Sequence, residues 1–348
     1  MQVSQLGEQK FTFEVEWYDQ QADITRPYRI IYFPNLKSVE MYDVKNSRIF
    51  LKKQQIPSIQ LDDFFIGAQV PVLSRVLKVC DYGDVRTRRH FETARQRTFG
   101  MIKPDSYQQM GQIIDQIQSA GLSINKLKMS RFNADTAGQF YAEHRDKPFF
   151  PNLQQFMTSD VCIGMELVAA NAVTAWRGLI GPTNTATAKA EAPQSIRASF
   201  GTDGTKNAVH GSDSLGSYKR EHDFWFAGED PEARPMQTTA VMDNCTLCLI
   251  KPHIQREGNT GKVLQMILEA GFEISAMEMF NLSRPVVEEF YDVYKGVLPE
   301  YLPLIENLTS GPVIALEVRQ TNAVQAFREF CGPHDPEIAR HLRPNTLR

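Results

Sequence analysis

The chain lacks most of the features that would place it outside a reducing, aqueous compartment. Its N-terminus, MQVSQLGEQKFTFEVEW, has neither a basic start nor an apolar stretch behind it, so no secretory signal is expected. The most apolar window, residues 161–176, is broken by Glu166 and Asn171 and is too short to span a bilayer. Cysteine is scarce: the five are odd in number and scattered through apolar runs, which argues against a disulfide framework and suits reduced thiols in the cytosol. Cys245 and Cys248 form a Cys-x-x-Cys, yet no second pair and no histidine pair follows at metal-ligand spacing, so no resident metal is expected. Positive charge is not in excess either. With a net charge of -3 the chain has no global field for nucleic acid, and any anionic ligand must be held by a local cluster of cations.

What is present is a repeat. TFGMIKPD (98–105) recurs as TLCLIKPH (246–253), and SAGLSINKLKM (119–129) recurs as EAGFEISAMEM (269–279). The offset is nearly constant: 148 positions from Lys103 to Lys251, 150 from Tyr141 to Tyr291, and 151 from Arg197 to Arg348. Collinearity over about a hundred residues marks a duplicated domain. At 348 residues the chain has room for both copies and a third domain.

Each copy reads alike. An apolar strand is stopped by Lys-Pro, and a helix follows with Ile113, Ile114 and Ile117 on one face before Gly121 ends it. A strand over 122–130, a helix near 135–144, a strand over 161–168 and a helix from 171 to Leu179 complete the pattern. Such interleaving within one domain predicts an α+β fold with two ferredoxin-like α/β sandwich domains. The turn-rich segment 181–195 is expected to be a long surface loop. Residues 1–90 differ. Short β-rich runs such as FTFEVEWYD and YRIIYFP predict a small antiparallel β domain, PH-like in kind and without catalytic features. The arginine run within 82–97 is expected to be its linker. The domains are therefore 1–90, 91–226 and 245–348, with a linker over 227–244.

NAVHGSDS (207–214) is a short polar stretch around one histidine, His210, just before a helix start. Taken alone such a histidine is an ordinary surface or core residue, and its setting must decide. TFGMIKPD, FYAEHRDKPFFPNLQQFM, RGLIGPTN, SIRASFG and NAVHGSDS, in this order and spacing, resemble the nucleoside diphosphate kinases. The likeness covers essentially the whole chain, and the β-rich start together with FREFCGPHDPEIARHLRPNTLR resembles a ciliary member of that family.

The resemblance implies transfer of the γ-phosphate of ATP to a nucleoside diphosphate, with His210 as the carrier. An imidazole nitrogen suits the task because it takes up phosphate and releases it readily. The transition state spreads negative charge over phosphate oxygens, so fixed cations and donors are needed. By resemblance Lys103 and Tyr141 lie near the transferred phosphate, Arg177, Thr183 and Arg197 hold the nucleotide phosphates, and Glu221 orients the imidazole. Phe149 stacks on the base with Leu153 beside it, and Asn207 meets the sugar. Mg2+ is expected with the nucleotide, without a dedicated protein cage. The chain departs from the family pattern at Thr205-Lys206, in IRASF, at Lys147 and in a longer loop after Thr183, but none of these removes a catalytic group.

The second copy keeps Lys251, Tyr291, Arg328 and Arg348 but has His253 after Lys-Pro, lacks the PFF segment and has His334 where the first has Thr183. No Asn-x-x-His follows by Arg348, so the second copy is expected to be degenerate or cut short, with one competent site in the chain. The alternative to an enzyme is a non-catalytic structural protein. For either role the resemblance implies a cytoplasmic, cytoskeletal protein of the ciliary axoneme and the centrosome or basal body. Its partners would be tubulin, doublet microtubule proteins and the γ-tubulin complex, with no membrane and no nucleic acid.

Overall fold

The structure, a computed structural model, describes residues 9–19, 22–64, 66, 68–94, 96–226 and 235–348. Its contacts divide the chain into two units, 1–95 and 96–348.

The first unit is a six-stranded antiparallel sheet of β1 (Phe11–Asp19), β2 (Ile24–Phe33), β3 (Ser38–Asp43), β4 (Arg48–Gln55), β5 (Gln69–Val72) and β6 (Arg75–Tyr82), in the order β4-β3-β2-β1-β6-β5. Period-two patterning sends Phe11, Phe13 and Val15 of β1 and Tyr28, Ile30 and Tyr32 of β2 into one core with Phe64 and Leu77. The arginine run is not an open linker. It forms α1 (Val85–Ala94), in which Thr87 and Phe91, four residues apart, face the sheet while Arg86 and Arg89 face solvent. Thr12 N–H donates to Thr87 Oγ1 at 2.8 Å, and the Phe91 ring lies 5.5 Å from Phe13 and 5.3 Å from Tyr82. The charge run is the solvated side of an amphipathic helix.

The second unit holds both repeats in one seven-stranded antiparallel sheet. Its strands are β7 (Gln96–Ile102), β8 (Ser123–Arg131), β9 (Val161–Ala169), β10 (Val209–Gly211), β11 (Cys245–Ile250), β12 (Glu273–Phe280) and β13 (Val313–Arg319). The order is β10-β7-β9-β8-β12-β13-β11, so the first repeat runs 4-1-3-2, the ferredoxin-like order, and the second continues as 2-3-1. The helices of the first repeat are α2 (Met110–Ser119), α3 (Ala134–Phe140), α4 (Phe150–Met157), α5 (Ala172–Ile180), α6 (Thr185–Glu191), α7 (Ile196–Phe200) and α8 (Leu215–Phe226). Those of the second are α9 (Pro252–Arg256), α10 (Thr260–Glu269), α11 (Arg284–Phe290), α12 (Tyr301–Thr309), α13 (Ala323–Cys331) and α14 (Pro336–Leu342). Among the described residues no helix is long and apolar enough to cross a membrane.

The expected surface loop 181–195 contains α6. Asn184 caps it by accepting from the N–H groups of Ala186 and Thr187 at 2.9 and 3.2 Å, and alanines carry the turn. Thr and Asn in that stretch read as turn residues, but here they start a helix.

The repeats meet where β8 joins β12, Lys128 opposite Glu278, and where α2 lies on α10. Two glycines permit that helix contact. A Cβ on Gly111 would fall 2.6 Å from Gln265 N, and one on Gly261 2.3 Å from Asp115 N, so the helices approach backbone to backbone. The residues after 234 then cross the sheet from one repeat to the other. Ser130 Oγ donates to Gln237 O at 2.6 Å, Thr239 Oγ1 donates to Ser275 O at 2.6 Å, and Glu317 accepts from the N–H groups of Val241 and Met242. The earlier part of that expected linker, 227–234, lies outside the described residues.

Candidate active site

The site grows from the end of β7. Where Pro104 stops that strand, Lys103 turns inward and is 6% exposed. Its Nζ donates to Asn207 Oδ1 at 2.7 Å and to Thr205 O at 3.3 Å. Burial, and then the nearby charge of Arg197, bring its pKa down to about 8. Arg197, on α7, is also buried, with Nη1 donating to Gly181 O at 2.8 Å and Nη2 to Val209 O at 3.1 Å. Its Nε is buried without a partner, and burial followed by the charge of Arg177 lowers its pKa to about 10. Two cations held together away from water describe a place for an anion.

His210 is the middle residue of β10, the edge strand, and pairs with Met101 of β7. Two residues earlier, Ala208 has φ +66, the left-handed region that costs a residue with a Cβ about 1–2 kcal/mol. Two hydrogen bonds hold it there: its N–H donates to Asp105 Oδ2 at 3.0 Å, and its carbonyl accepts from Lys103 N–H at 2.8 Å. The strain sits where the chain must deliver both Asn207 and His210 to one place.

The imidazole stands among aromatic rings, 5.6 Å from Phe140, 6.0 Å from Tyr141 and 6.2 Å from Phe99. Its Nε2 lies 3.0 Å from Glu221 Oε1, within ion-pair range but off the axis of a hydrogen bond. Glu221 comes from α8, and its other oxygen accepts from Ser212 Oγ at 2.5 Å. Tyr141 is buried, which raises its phenol pKa, and its hydroxyl is 3.7 Å from Met157 Sδ.

The remaining residues surround this center. Thr183 accepts from Asn207 Nδ2 through its carbonyl at 3.0 Å, and its hydroxyl is 3.5 Å from Arg197 Nη1. Arg177 is exposed on the last turn of α5. Phe149 is 49% exposed beside His144, whose ring stacks on Tyr141 at 6.2 Å, so a flat face is open at the rim. Leu153, by contrast, is core, packed in one cluster with Phe140, Tyr141 and Met157, and supports the wall. Among the described residues no group of three His, Cys, Asp or Glu side chains could hold a metal ion.

Asp105 and Ser212 were not singled out from the sequence. Asp105 fixes the strained backbone of Ala208, and burial raises its own pKa. Its signal was its place directly after Lys-Pro, where the second repeat has His253. Ser212 sits inside the histidine stretch, but its partner Glu221 is on the next helix.

A nucleoside diphosphate kinase family model matches residues 96–230 and 244–348, and a model of the nucleoside diphosphate kinase 7 N-terminal PH domain matches residues 5–93. The chain is 47% identical over 343 residues to nucleoside diphosphate kinase homolog 7 of Rattus norvegicus, covering 98% of this chain and 86% of the relative. To the protein of that name from Mus musculus it is 46% identical over the same shares. A nucleoside diphosphate kinase of Aquifex aeolicus is 43% identical over 137 residues, 39% of this chain and 96% of its own length.

Proposed function

The chain belongs to the nucleoside diphosphate kinase family, and we propose that its first repeat carries the γ-phosphoryl group of ATP to a nucleoside diphosphate on His210. The observation that carries this reading is the pairing of His210 Nε2 with Glu221 at 3.0 Å beside the buried cations Lys103 and Arg197. With Nε2 facing a carboxylate, the proton belongs on that nitrogen and the Nδ1 lone pair is the nucleophile. Nδ1 bonds to the γ-phosphorus as its bond to the β-phosphate oxygen breaks, and ADP leaves with that electron pair. The terminal oxygen of the acceptor diphosphate then attacks the same phosphorus, and the P–N bond returns its pair to Nδ1.

Lys103, Arg197 and Arg177 stabilise the charge that develops on the phosphate oxygens, and Asn207 orients Lys103. Tyr141 closes one wall. Phe149 offers a base a face that does not discriminate among bases. Magnesium belongs to the substrate and arrives on the nucleotide phosphates. The reading is tested by brief incubation with γ-labelled ATP followed by denaturation. Label that is acid-labile and base-stable is expected, and His210→Ala removes both label and exchange while nucleotide still binds. Exchange by His210→Ala at the wild-type rate would overturn it.

A second reading, a docking role at ciliary microtubules with tubulin and the γ-tubulin complex as partners in the cytoplasm, is favoured by one observation. Every residue of the site lies within 96–226, while the first unit has a closed core of its own. Deletion of 1–95 is expected to keep exchange within about twofold and to lose axonemal localisation. A folded deletion without exchange counts against it.

A further inference from the structure

Glu166 entered the sequence only as an interruption in an apolar window. It is 0% exposed on β9, under α8. Its Oε1 accepts from Tyr218 Oη at 2.6 Å and from Arg97 Nη1 at 3.2 Å, and its Oε2 accepts from Asn125 Nδ2. His222 Nε2 is 3.6 Å from Oε1, and its hydrogen-bond partner is Lys126 Nζ at 3.0 Å. Burial pushes the acid up, but the hydrogen bonds from Tyr218 and Asn125 and the charge of Arg97 outweigh it and hold the carboxyl below the usual range. It is a buried charge.

Stability alone does not account for such a charge, since a helix can lie on a sheet by apolar contacts and buried ion pairs are seldom better than well-packed hydrophobes. The distribution of anchors on α8 supplies a reason. Its buried apolar anchor, Trp225, is near its C-terminal end, against Gly164, where a Cβ would meet the indole at 2.2 Å. Its first turns bury no apolar residue, and Leu215 is 56% exposed. Glu221, one turn before Trp225, nevertheless must be held to within a fraction of an ångström, and the turns before it bury no apolar anchor. Tyr218, Glu221, His222 and Trp225 follow the i, i+3, i+4, i+7 spacing and share one face, so Tyr218 and His222 bracket Glu221. The corresponding acid of the second repeat, Glu317, holds the N–H groups of Val241 and Met242 instead, so a buried acid at this position is not tied to one structural duty.

We propose that Glu166 is a positioning residue for phosphoryl transfer: by holding the Tyr218 hydroxyl it fixes the height and rotation of α8 and so keeps Glu221 against His210. The inference rests on the phosphohistidine reading. A slip of about 1 Å at a reacting group costs on the order of a hundredfold in rate.

The test is the single-turnover rate of His210 labelling from γ-labelled ATP, with nucleotide binding measured in parallel on the full chain. Glu166→Gln and Tyr218→Phe are each expected to slow labelling by about tenfold or more with binding within about twofold. The decisive readout is the cycle with Glu221→Gln. If Glu166 acts through Glu221, Glu166→Gln/Glu221→Gln labels no more slowly than Glu221→Gln alone. Losses that multiply, or labelling of both single variants at the wild-type rate, overturn the inference while the phosphohistidine reading stands. Absence of label in the wild-type chain overturns both. Should Glu166→Gln fail to fold, Tyr218→Phe, which keeps the ring and its packing, decides in the same cycle.

Discussion

The two repeats share strands, helices and two cations, yet they differ at positions that both contain. Lys103 is buried beneath Asn207 and Thr205, and its pKa falls to about 8. Lys251 is half-buried, and burial followed by the charge of Arg348 lowers its pKa. The arginines match more closely: Arg197 donates to Gly181 O at 2.8 Å, and Arg348 to Gly332 O at 3.2 Å. Around them the surroundings diverge. Thr183, whose hydroxyl is 3.5 Å from Arg197 Nη1, is replaced by His334. Where Asp105 orders the backbone before His210, the second repeat has His253, its Nδ1 buried without a partner and its pKa lowered by burial. A shared fold thus brings a lysine and an arginine to the same place.

The comparison is broken most severely at Lys103. Lys103→Met is expected to cut exchange by on the order of a hundredfold, measured as kcat/KM with saturating acceptor. The same lysine sets a pH dependence. Its folded pKa, about 8, is below the unfolded 10.5, so the unfolded chain binds more protons between those values. The wild-type chain therefore bears the burial penalty in full below pH 8 and is relieved of it as pH rises toward 10.5. Denaturant melts should show wild type gaining stability relative to Lys103→Met across that window. Exchange by the wild type should fall over the same rise, because the free site loses its cation.

The next test separates the repeats. Gly261→Val places a side chain where a Cβ already falls 2.3 Å from Asp115 N. Thermal or urea unfolding should show a loss of about 1–3 kcal/mol, with exchange reduced only through the unfolded fraction. An unchanged midpoint would mean that α2 and α10 do not pack this closely. The smallest effect is expected at Lys251. Lys251→Ala should leave exchange within about twofold, and a larger loss in initial-rate assays would mean the second repeat takes part in turnover.

Much of the fold was legible because a period of about 150 residues and strands ended by Lys-Pro are local signals. Two segments were misread for an opposite reason. Asn184 and the following threonines carry turn composition, and the run after Val85 carries charge, but the Asn184 cap with Thr185 and Ala188 buried three apart, and Thr87 and Phe91 facing inward four apart, made both helices. The site residues were named from the family resemblance. The contacts joining them span the chain, with Lys103 reaching Asn207 and Asp105 reaching Ala208. Leu153, expected beside the base, is buried in the cluster that holds Phe140, Tyr141 and Met157.

By itself the sequence determined the duplication, the alternation of strands and helices, and the residue types available for holding phosphate, since these depend on neighbours a few positions apart. Only the tertiary structure decided which cations are buried, which nitrogen of His210 faces Glu221 and what Glu166 grips. Those properties arise from desolvation and from side chains brought together across β7, β9, β10 and α8, and no local pattern encodes them.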